Sequence, residues 1–238
     1  MKLAVMQPYL FPYLGYFQLL EAVDRFVVLD DVTFIKGGWI NRNRILLDGE
    51  PHLFTVPLKK SSTNRLIRDI HVSPEPWRPK LLRMLRAAYQ KAPHRDPALE
   101  LVESILEAAE GPISDLAFAS VTGVCDYLGM EREFVRTTSV YGNDDLKGQE
   151  RVLDICKREG AATYVNVLGG RELYGHAAFA AAGIELRFVE TLPREYPQLG
   201  GPFQPGLSII DVLMFNSPDA VRELMQSHRL TAGEIEPT

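Results

Sequence analysis

The sequence is short of cysteine, of long apolar runs and of net positive charge, and each shortage excludes a class of protein. Two cysteines among 238 residues, neither beside a CxxC or a His-rich stretch, argue against a disulfide framework and a structural zinc site. No run approaches the roughly 20 apolar residues that span a bilayer, and no signal-peptide pattern is present. The net charge of −5 argues against a general nucleic-acid-binding surface. We therefore expect a cytoplasmic globular protein.

Several motifs with a known mechanism are also missing. The chain has neither a full GxGxxG nor a GxxxxGK[ST] pattern, so a dinucleotide-binding Rossmann site and a P-loop are not supported. It also lacks the GxSxG turn of hydrolases and the HExxH pair of metalloproteases. The residues therefore predict no metal site and identify no cofactor.

Short apolar strands alternate with amphipathic helices at both ends of the chain. Residues 2–6 and 25–29 are predicted to be buried strands that flank a helix at 14–23, which is the beginning of a βαβ unit. Such alternation predicts an α/β fold with a parallel-sheet, Rossmann-like core. The later elements predicted in the same way are strands at 134–136, 163–167 and 185–189, and helices at 148–158 and 171–182.

A β-hairpin and a helical insert are predicted between the two halves. Asp48-Gly49 is a favoured pair for a type I′ turn, so residues 43–47 and 52–57 are expected to pair, and 65–72 to add a strand. Three helical patterns follow, at 77–90, 97–109 and 112–128. We thus expect four parts: 1–72, the N-terminal βαβ unit with a basic hairpin; 73–130, the helical insert; 131–230, the second half of the core; and 231–238, a flexible tail.

A loop of prolines and aromatic residues follows the first strand. In open α/β sheets, ligands bind at the carboxyl ends of the strands, where helix N-termini also attract anions. The alternative is that these residues only shape a turn and cover the edge of the core. We predict that the loop contacts substrate through Gln7, Tyr9, Tyr13 and Tyr16.

Positive charge is concentrated between residues 34 and 68, where seven basic residues accompany only two acidic ones. Arginine, amide and indole groups alternate there, and together they suit a phosphate and a ring. A solvated hairpin face is the alternative. The substrate-binding residues predicted in this segment are Lys36, Trp39, Asn41, Arg42, Asn43, Arg44, Lys59 and Lys60.

Three residues are candidates for catalysis. Asp30 and Asp31 follow the second strand, where a carboxylate can act as a base or bind a sugar hydroxyl. Because adjacent strand residues point to opposite faces, only one of them is expected to face the site, and the other to cap the following turn. His94 lies in a loop bounded by prolines and titrates near neutrality when unperturbed, although a lone histidine is more often structural.

Three further residues are predicted to contact substrate. Gly169 and Gly170 precede a predicted helix, and such glycine turns admit a phosphate or carboxylate close to the backbone. Asp211 lies inside an apolar helix, so it is either a paired core carboxylate or a ligand contact.

Five segments carry a family resemblance: MQPYLFPYLGYFQLL, FVVLDDVTFIKGGWINRNRIL, TVPLKK, the Leu-Gly-Gly near Tyr164 and the YPQ…LSIIDVL run. They resemble the bacterial WbqC-like family, and the resemblance covers nearly the whole chain. Members of that family are associated with gene clusters for O-antigen and other surface polysaccharides. The resemblance implies a role in building or modifying an activated sugar, and transfer of an acyl or aminoacyl group, such as glycyl, onto a nucleotide-linked amino sugar is the reaction we favour.

Two other functions stay open. The start of the chain is distantly similar to the HIGH-type nucleotidyltransferases, with Tyr13-Leu14-Gly15-Tyr16 in place of His-x-Gly-His, and an ATP-using ligase would need ATP with Mg²⁺. Tyrosine lacks the positive charge of imidazole, which weakens that similarity. The third function is a noncatalytic sugar-nucleotide binding subunit. The expected partners are the nucleotide sugar and an acyl or aminoacyl donor, with aminoacyl-tRNA the only nucleic acid considered, and a homo-oligomer is compatible.

Overall fold

The structure is a computed structural model that describes residues 1–59, 64–107 and 110–233. Within these ranges it is a mixed α/β fold. The strands are β1 (Lys2–Met6), β2 (Arg25–Val28), β3 (Arg42–Leu47), β4 (Glu50–Thr55), β5 (Leu58–Lys59), β6 (His71–Val72), β7 (Glu133–Val135), β8 (Thr163–Val167), β9 (Glu185–Thr191) and β10 (His228–Thr231). The helices are α1 (Leu14–Ala22), α2 (Arg78–Ala88), α3 (Arg95–Glu107), α4 (Ile113–Tyr127), α5 (Gly148–Arg158), α6 (His176–Ala181), α7 (Ile209–Phe215) and α8 (Pro218–Gln226).

Six of the strands form one mostly parallel sheet in the order β10-β9-β8-β1-β2-β7. Every neighbouring pair is parallel except β10 with β9. The chain runs from β1 to β2 and β7 on one side, and then returns to β8, β9 and β10 on the other. The strand order therefore reverses between β1 and β8, which is the point where open α/β sheets form a ligand crevice. The predicted α/β core with a parallel sheet is confirmed.

The central strands are buried on both faces, which explains their continuous apolar sequences. Leu3 and Val5 of β1 pack in a cluster with Ile155 of α5, whereas Ala4 packs in the larger cluster that contains Leu19 of α1. Successive side chains of a strand point to opposite faces, so β1 joins the two halves of the core. Within the described ranges, no helix has the length and apolarity needed to cross a membrane.

The β3–β4 hairpin forms as predicted around Asp48-Gly49. Asp48 has φ of 51° and Gly49 has φ of 81°, the left-handed pair that a type I′ turn requires. The turn packs tightly against the loop after β9: a Cβ on Gly49 would lie 2.3 Å from the carbonyl oxygen of Gly200. The hairpin tip is thus a docking point for that loop.

The predicted strand at 65–72 is wrong over most of its length. Residues Ile67–Asp69 form a 3₁₀ turn, and only the two residues of β6 are extended in a ladder. The reason is tertiary: the N–H of Ile67 donates to the carbonyl of Val32, and the N–H of Arg68 donates to that of Asp30. These bonds bend the segment over the carboxyl end of β2.

Two other elements differ from the prediction. The expected helix at 171–182 is divided into a 3₁₀ segment, Leu168–Leu173, and α6, because Tyr174 and Gly175 are extended between them. Strand β10 was not predicted. Its sequence, HRLT, has a weak pattern, and it is formed by edge pairing with β9. Thr231, the first residue of the predicted tail, ends this strand, and residues 234–238 lie outside the described ranges.

Two glycine substitutions test the docking of the hairpin tip. Gly160, at the end of α5, also has positive φ (65°), but a Cβ there would meet no atom within 4 Å. Gly160→Ala should therefore cost only the backbone strain, about 1 kcal/mol of unfolding free energy. Gly49→Ala should cost about 1–3 kcal/mol more, because Gly200 must move. Urea unfolding of both variants measures the difference, and equal losses would show that the contact with Gly200 is unimportant.

Candidate functional site

The proline-aromatic loop after β1 is held by side chains from three other parts of the fold. The buried residue Phe11 has φ of 40°, unusual for a residue other than glycine. Its N–H donates to Ser120 Oγ at 2.8 Å, and its carbonyl accepts from Asn43 Nδ2 at 2.8 Å and from Ser208 Oγ at 2.7 Å. The hairpin, α4 and the start of α7 therefore fix the position of this loop.

The tyrosines of this loop differ in their surroundings. Tyr16 is only 2% exposed, and its hydroxyl donates to the carbonyl of Gln7 at 3.0 Å, so it supports the loop from inside. Tyr9 packs on the Tyr16 ring at a centroid distance of 5.8 Å. Gln7 and Tyr9 are half-buried at the carboxyl end of β1. The loop thus combines buried supports with side chains that remain partly accessible.

Tyr13 lines an apolar cavity of about 480 Å³ at the start of α1. The ring of Tyr13 lies over Gly15, where a Cβ would approach it to 2.4 Å. Thr191, at the end of β9, and the aromatic residues Tyr196 and Phe203 contribute to the other walls. Aromatic walls of this kind suit a ring or an acyl chain.

A second, polar cavity of about 430 Å³ lies beyond the carboxyl ends of β2 and β7. It lies next to the N-terminus of α5, which favours negative charge. Arg68 from the bent segment, together with Lys147 and Arg151 from the start of α5, gives this cavity cations that suit a phosphate or diphosphate group. The lining residues that carry charge or a hydroxyl include Asp31, Arg68, Ser139, Asp144, Lys147 and Arg151.

Asp31 and Arg151 form a buried ion pair at the wall of the polar cavity. Arg151 Nη2 lies 2.7 Å from Asp31 Oδ2, and Thr138 Oγ1 donates to the other carboxylate oxygen. Arg151 Nε also donates to Asn143 Oδ1 at 3.0 Å. Because each charge is paired and hydrogen-bonded, the pair can be buried and can hold the N-terminal turn of α5 against β2.

Asp30 lies behind the cavity wall and is linked to it by two hydroxyl groups. Thr137 Oγ1 donates to Asp30 Oδ1 at 2.6 Å, and Ser139 Oγ lies 2.9 Å from Thr137 Oγ1. Because the single hydroxyl hydrogen of Thr137 is directed at Asp30, Ser139 is the donor in the second contact. Burial raises the pKa of Asp30, although Thr137 and Arg136 oppose this shift. The result is a basic carboxylate connected to the cavity by a hydrogen-bonded chain.

Asp30 and Asp31 therefore occupy different environments, in agreement with the expected alternation. Asp31 is the one that lines the cavity. Asp30 accepts from the segment after β7, and Arg136 Nη1 lies 3.4 Å from its Oδ2. The carbonyl of Asp30 accepts the N–H of Arg68, so its backbone holds the 3₁₀ turn Ile67–Asp69 over the end of β2. The expected cap on the turn directly after β2 stays a prediction.

The predicted substrate contacts of the hairpin divide into buried and exposed groups. Asn43 is buried, and its side-chain amide donates hydrogen bonds to backbone carbonyls of the loop after β1. Asn41 Nδ2 donates to the carbonyl of Val56 at 2.8 Å, so it joins the ends of the hairpin. Lys36 and Lys59 are exposed. Lys60 lies outside the described residues.

Two arginines of β3 lie against the same indole. The guanidinium carbons of Arg42 and Arg44 are 5.8 and 5.3 Å from the ring centroid of Trp39. Arg42 also donates to the carbonyls of Gly37 and Gly38, whereas Arg44 Nε has no hydrogen-bond partner among the described residues. Both side chains thus lie on one side of the strand, as expected for positions two residues apart.

The remaining predicted residues lie in separate places. His94 is half-buried before α3, where its N–H donates to the carbonyl of Met214 at 3.0 Å, and no hydrogen bond of the described residues joins it to either aspartate. Gly169 is open, with no atom within 4 Å of a Cβ placed on it, and Gly170 packs against the side chain of Asn166. The two glycines lie just beyond β8 at the strand-order reversal.

Asp211 is a fully buried carboxylate with three donors. Tyr89 donates to Oδ2 at 2.8 Å, and Tyr196 and Gln198 both donate to Oδ1 at 2.7 Å. Burial raises the pKa of Asp211, and the three hydrogen bonds oppose this shift. In this structure Asp211 therefore anchors the loop after β9 to α7 and α2.

Some residues of the site were not found from the sequence. Arg151 had a local signal, because it lies four positions before Ile155 on the buried face of an amphipathic helix, where a charge needs a partner. Thr137 and Ser139 had none, since hydroxyl residues after a strand are common in turns. Lys147 precedes α5 and resembles an ordinary surface lysine.

The Asp211 cluster predicts a pH dependence of stability. Because burial raises the folded pKa of Asp211 above its unfolded value of about 3.9, the folded state holds its proton more readily, and stability falls as pH rises from about 4 through the folded pKa. The asparagine side chain of Asp211→Asn does not titrate. The unfolding free energy of wild type should therefore fall relative to that of the variant between pH 4 and 7. Urea unfolding measures this difference, with Asp126→Asn, at an exposed position of α4, as the control. Parallel curves for wild type and Asp211→Asn would contradict it.

Comparison with known proteins gives one family and no structural precedent. The WbqC-like protein family matches residues 7–223, as the resemblance implied. The chain is also 30% identical over 232 residues to the uncharacterized protein Rv1507c of Mycobacterium tuberculosis, a match that covers 94% of this chain and 99% of that protein. No solved structure matches the chain. Because the family match extends from the loop after β1 into α8 and includes both halves of the sheet, the chain belongs to the WbqC-like protein family.

Proposed function

We propose that the protein is a transferase of surface-polysaccharide biosynthesis that acts on an anionic, nucleotide-linked amino sugar. The reaction is transfer of an acyl or aminoacyl group, such as glycyl, to the amine of the sugar. The observation that carries this proposal is the polar cavity at the carboxyl edge of the sheet, where cations line the wall and Asp30 lies behind it, connected through the hydroxyl groups of Thr137 and Ser139. Such an edge is where ligands bind in open α/β sheets.

The diphosphate of the substrate would lie against the cations of the polar cavity. Lys147 is exposed at the start of α5, Arg68 contributes from the bent segment after the hairpin, and Arg151 is held in place by Asp31. The first turn of α5 also has no side-chain cap from its N-cap residue. An anion at this position gains both ionic contacts and backbone N–H groups.

The hydrogen-bonded hydroxyl groups of Ser139 and Thr137 would carry the proton that the reaction releases to Asp30. The amine nitrogen attacks the carbonyl carbon of the donor, a C–N bond forms, and the bond from that carbon to the leaving oxygen or sulfur breaks. Ser139 takes a proton from the amine while it passes its own to Thr137, and Thr137 passes its own to Asp30. The leaving group takes a proton from water, and the hydroxide that remains takes the proton from Asp30, so the charges balance and the carboxylate is restored.

A second candidate function is an ATP-using, nucleotidyltransferase-like ligase, and the apolar cavity favours it. Tyr13, Leu14 and Gly15, which stand where HIGH-type proteins carry their motif, line this cavity together with Tyr196 and Phe203. Its volume of about 480 Å³ lies within the usual range for small ligands, and its aromatic walls suit a purine. This function requires ATP with Mg²⁺.

Ligand-induced stabilisation tests the substrate class. A dTDP- or UDP-linked amino sugar at about 100 times its Kd should add about 2.7 kcal/mol of stability, a rise in Tm of several degrees. Lys147→Ala should weaken this ligand about tenfold, whereas Lys157→Ala, at the other end of the same helix, should have no effect. Stabilisation by ATP-Mg²⁺ alone would favour the ligase, and no response to any nucleotide sugar would refute the proposed substrate.

Substitutions of Thr137 test the proton path. In an assay of acetyl transfer from acetyl-CoA or glycyl transfer from glycyl-tRNA to the amino sugar, Thr137→Val should lower kcat about 10²-fold with little change in the Kd of the sugar. Thr137→Ser keeps the hydroxyl and should restore most of the rate. For wild type, the rate should rise with pH as Asp30 loses its proton, with a midpoint above the ordinary aspartate value because its pKa is raised. A fully active Thr137→Val variant would exclude the path.

A further inference from the structure

Four cations without a carboxylate partner among the described residues lie around Trp39 and on the neighbouring segment that pairs with Phe34: Lys36, Arg42, Arg44 and Arg65. None of these four cations forms an ion pair with a described residue, whereas arginines elsewhere, such as Arg25, Arg132 and Arg222, do. The chain as a whole carries a net charge of −5, so this cationic–aromatic surface, made of the four cations and Trp39, is a local exception. Unpaired cations of this kind attract a polyanion.

An exposed indole lies at the centre of the cationic–aromatic surface. Trp39 is 36% exposed, and the guanidinium groups of Arg42 and Arg44 approach its ring to 5.8 and 5.3 Å. Arg44 Nε is itself buried and has no hydrogen-bond partner among the described residues, so a ligand would contact this arginine at the outer end of its guanidinium group. An indole beside guanidinium planes offers stacking as well as charge, which is the combination that binds unpaired bases.

The cationic–aromatic surface continues into the polar cavity. The N–H of Phe34 donates to the carbonyl of Arg65 at 2.9 Å, and the next pair, Thr33 and Leu66, forms a β-bridge. Thr33 and Leu66 line the polar cavity. At the other end, the N–H of Leu10 donates to the carbonyl of Trp39 at 3.2 Å, which fixes the surface to the loop after β1.

We propose that this surface binds single-stranded RNA. The phosphates contact Lys36, Arg44 and Arg65, and one unpaired base stacks on Trp39. The strand then leads along the paired segments at Phe34 and Thr33 to the polar cavity, so its end reaches the groups assigned to the transfer. The proposal goes beyond the transferase function, because RNA binding at this surface can be present whichever ligand the cavity takes.

The choice of RNA follows from the composition of the surface. Phosphate contacts alone serve any polyanion, including a sulfated polysaccharide or an anionic membrane. An exposed ring flanked by two guanidinium groups is best matched by a partner that has flat, unpaired rings of its own. A single-stranded RNA supplies both features, with hydroxyl groups that guanidinium N–H groups can also bind.

Fluorescence anisotropy with a labelled single-stranded RNA of about a dozen nucleotides tests this proposal. Wild type should bind at about 50 mM salt and weaken steeply toward about 200 mM. Trp39→Ala should weaken binding about tenfold or more, since stacking is lost. Arg44→Gln should weaken binding several-fold and reduce the salt slope by about 0.7. Arg83→Gln, which removes an exposed arginine from α2, is the matched control and should bind like wild type.

Competition by other negatively charged ligands tests whether the surface prefers RNA to other sources of negative charge. Dextran sulfate, a DNA strand of the same sequence and phosphatidylserine vesicles should each compete less well than unlabelled RNA. No RNA binding at low salt, equal competition by any of these three, or an unchanged affinity of Trp39→Ala would overturn the proposal. Thermal melts of each variant report folding, and stabilisation by nucleotide sugars through Lys147 is measured separately, so the failure of one proposal leaves the other standing.

Discussion

The architecture depends on how the buried peptide groups of Phe11 are hydrogen-bonded. Its positive φ turns the chain between two prolines, and its N–H and carbonyl are satisfied by Ser120, Asn43 and Ser208 rather than by a regular ladder. A buried peptide group left without a hydrogen-bond partner costs about 1–3 kcal/mol of folding free energy. The positions of these three side chains are therefore fixed relative to one another. The first loop, the hairpin, α4 and α7 therefore meet at one residue, although Ser120 and Ser208 are separated from it by 109 and 197 positions.

This convergence fixes the backbone beneath the surface groups. The N–H of Ser208 donates to the carbonyl of Arg44, and the N–H of Ile209 donates to that of Pro12. The start of α7 is thus bonded to both the hairpin and the first loop. Arg44 projects from β3, which α7 holds, and Trp39 projects from the segment before β3, which the N–H of Leu10 holds. Groups for binding and catalysis are more precisely placed on such supported segments than on free loops.

Local sequence patterns predicted the helices, strands and turns whose conformation the nearby residues determine. They failed for the elements whose conformation depends on tertiary contacts. Helix α5 and strand β8 have the predicted bounds because their apolar periodicity is unambiguous, and Asp48-Gly49 identifies the hairpin turn. Strand β10 forms only because β9 offers an edge. The candidate site was predicted as far as Asp30 and Asp31, but their partners lie more than 100 positions away, and a single sequence has no local signal for such pairs.

The two adjacent aspartates show why the partners matter more than the residue type. Asp31 faces the cavity, yet both of its carboxylate oxygens are hydrogen-bonded, one to Arg151 and the other to Thr138. Asp30 is further from the cavity, but Arg136 approaches it only to 3.4 Å and also pairs with Asp115, so its charge is less compensated. Burial then raises its pKa, and the hydroxyl chain gives it access to the cavity. The two carboxylates therefore have different roles in the proposed reaction: Asp31 orients a cation for the anionic substrate, and Asp30 accepts the proton.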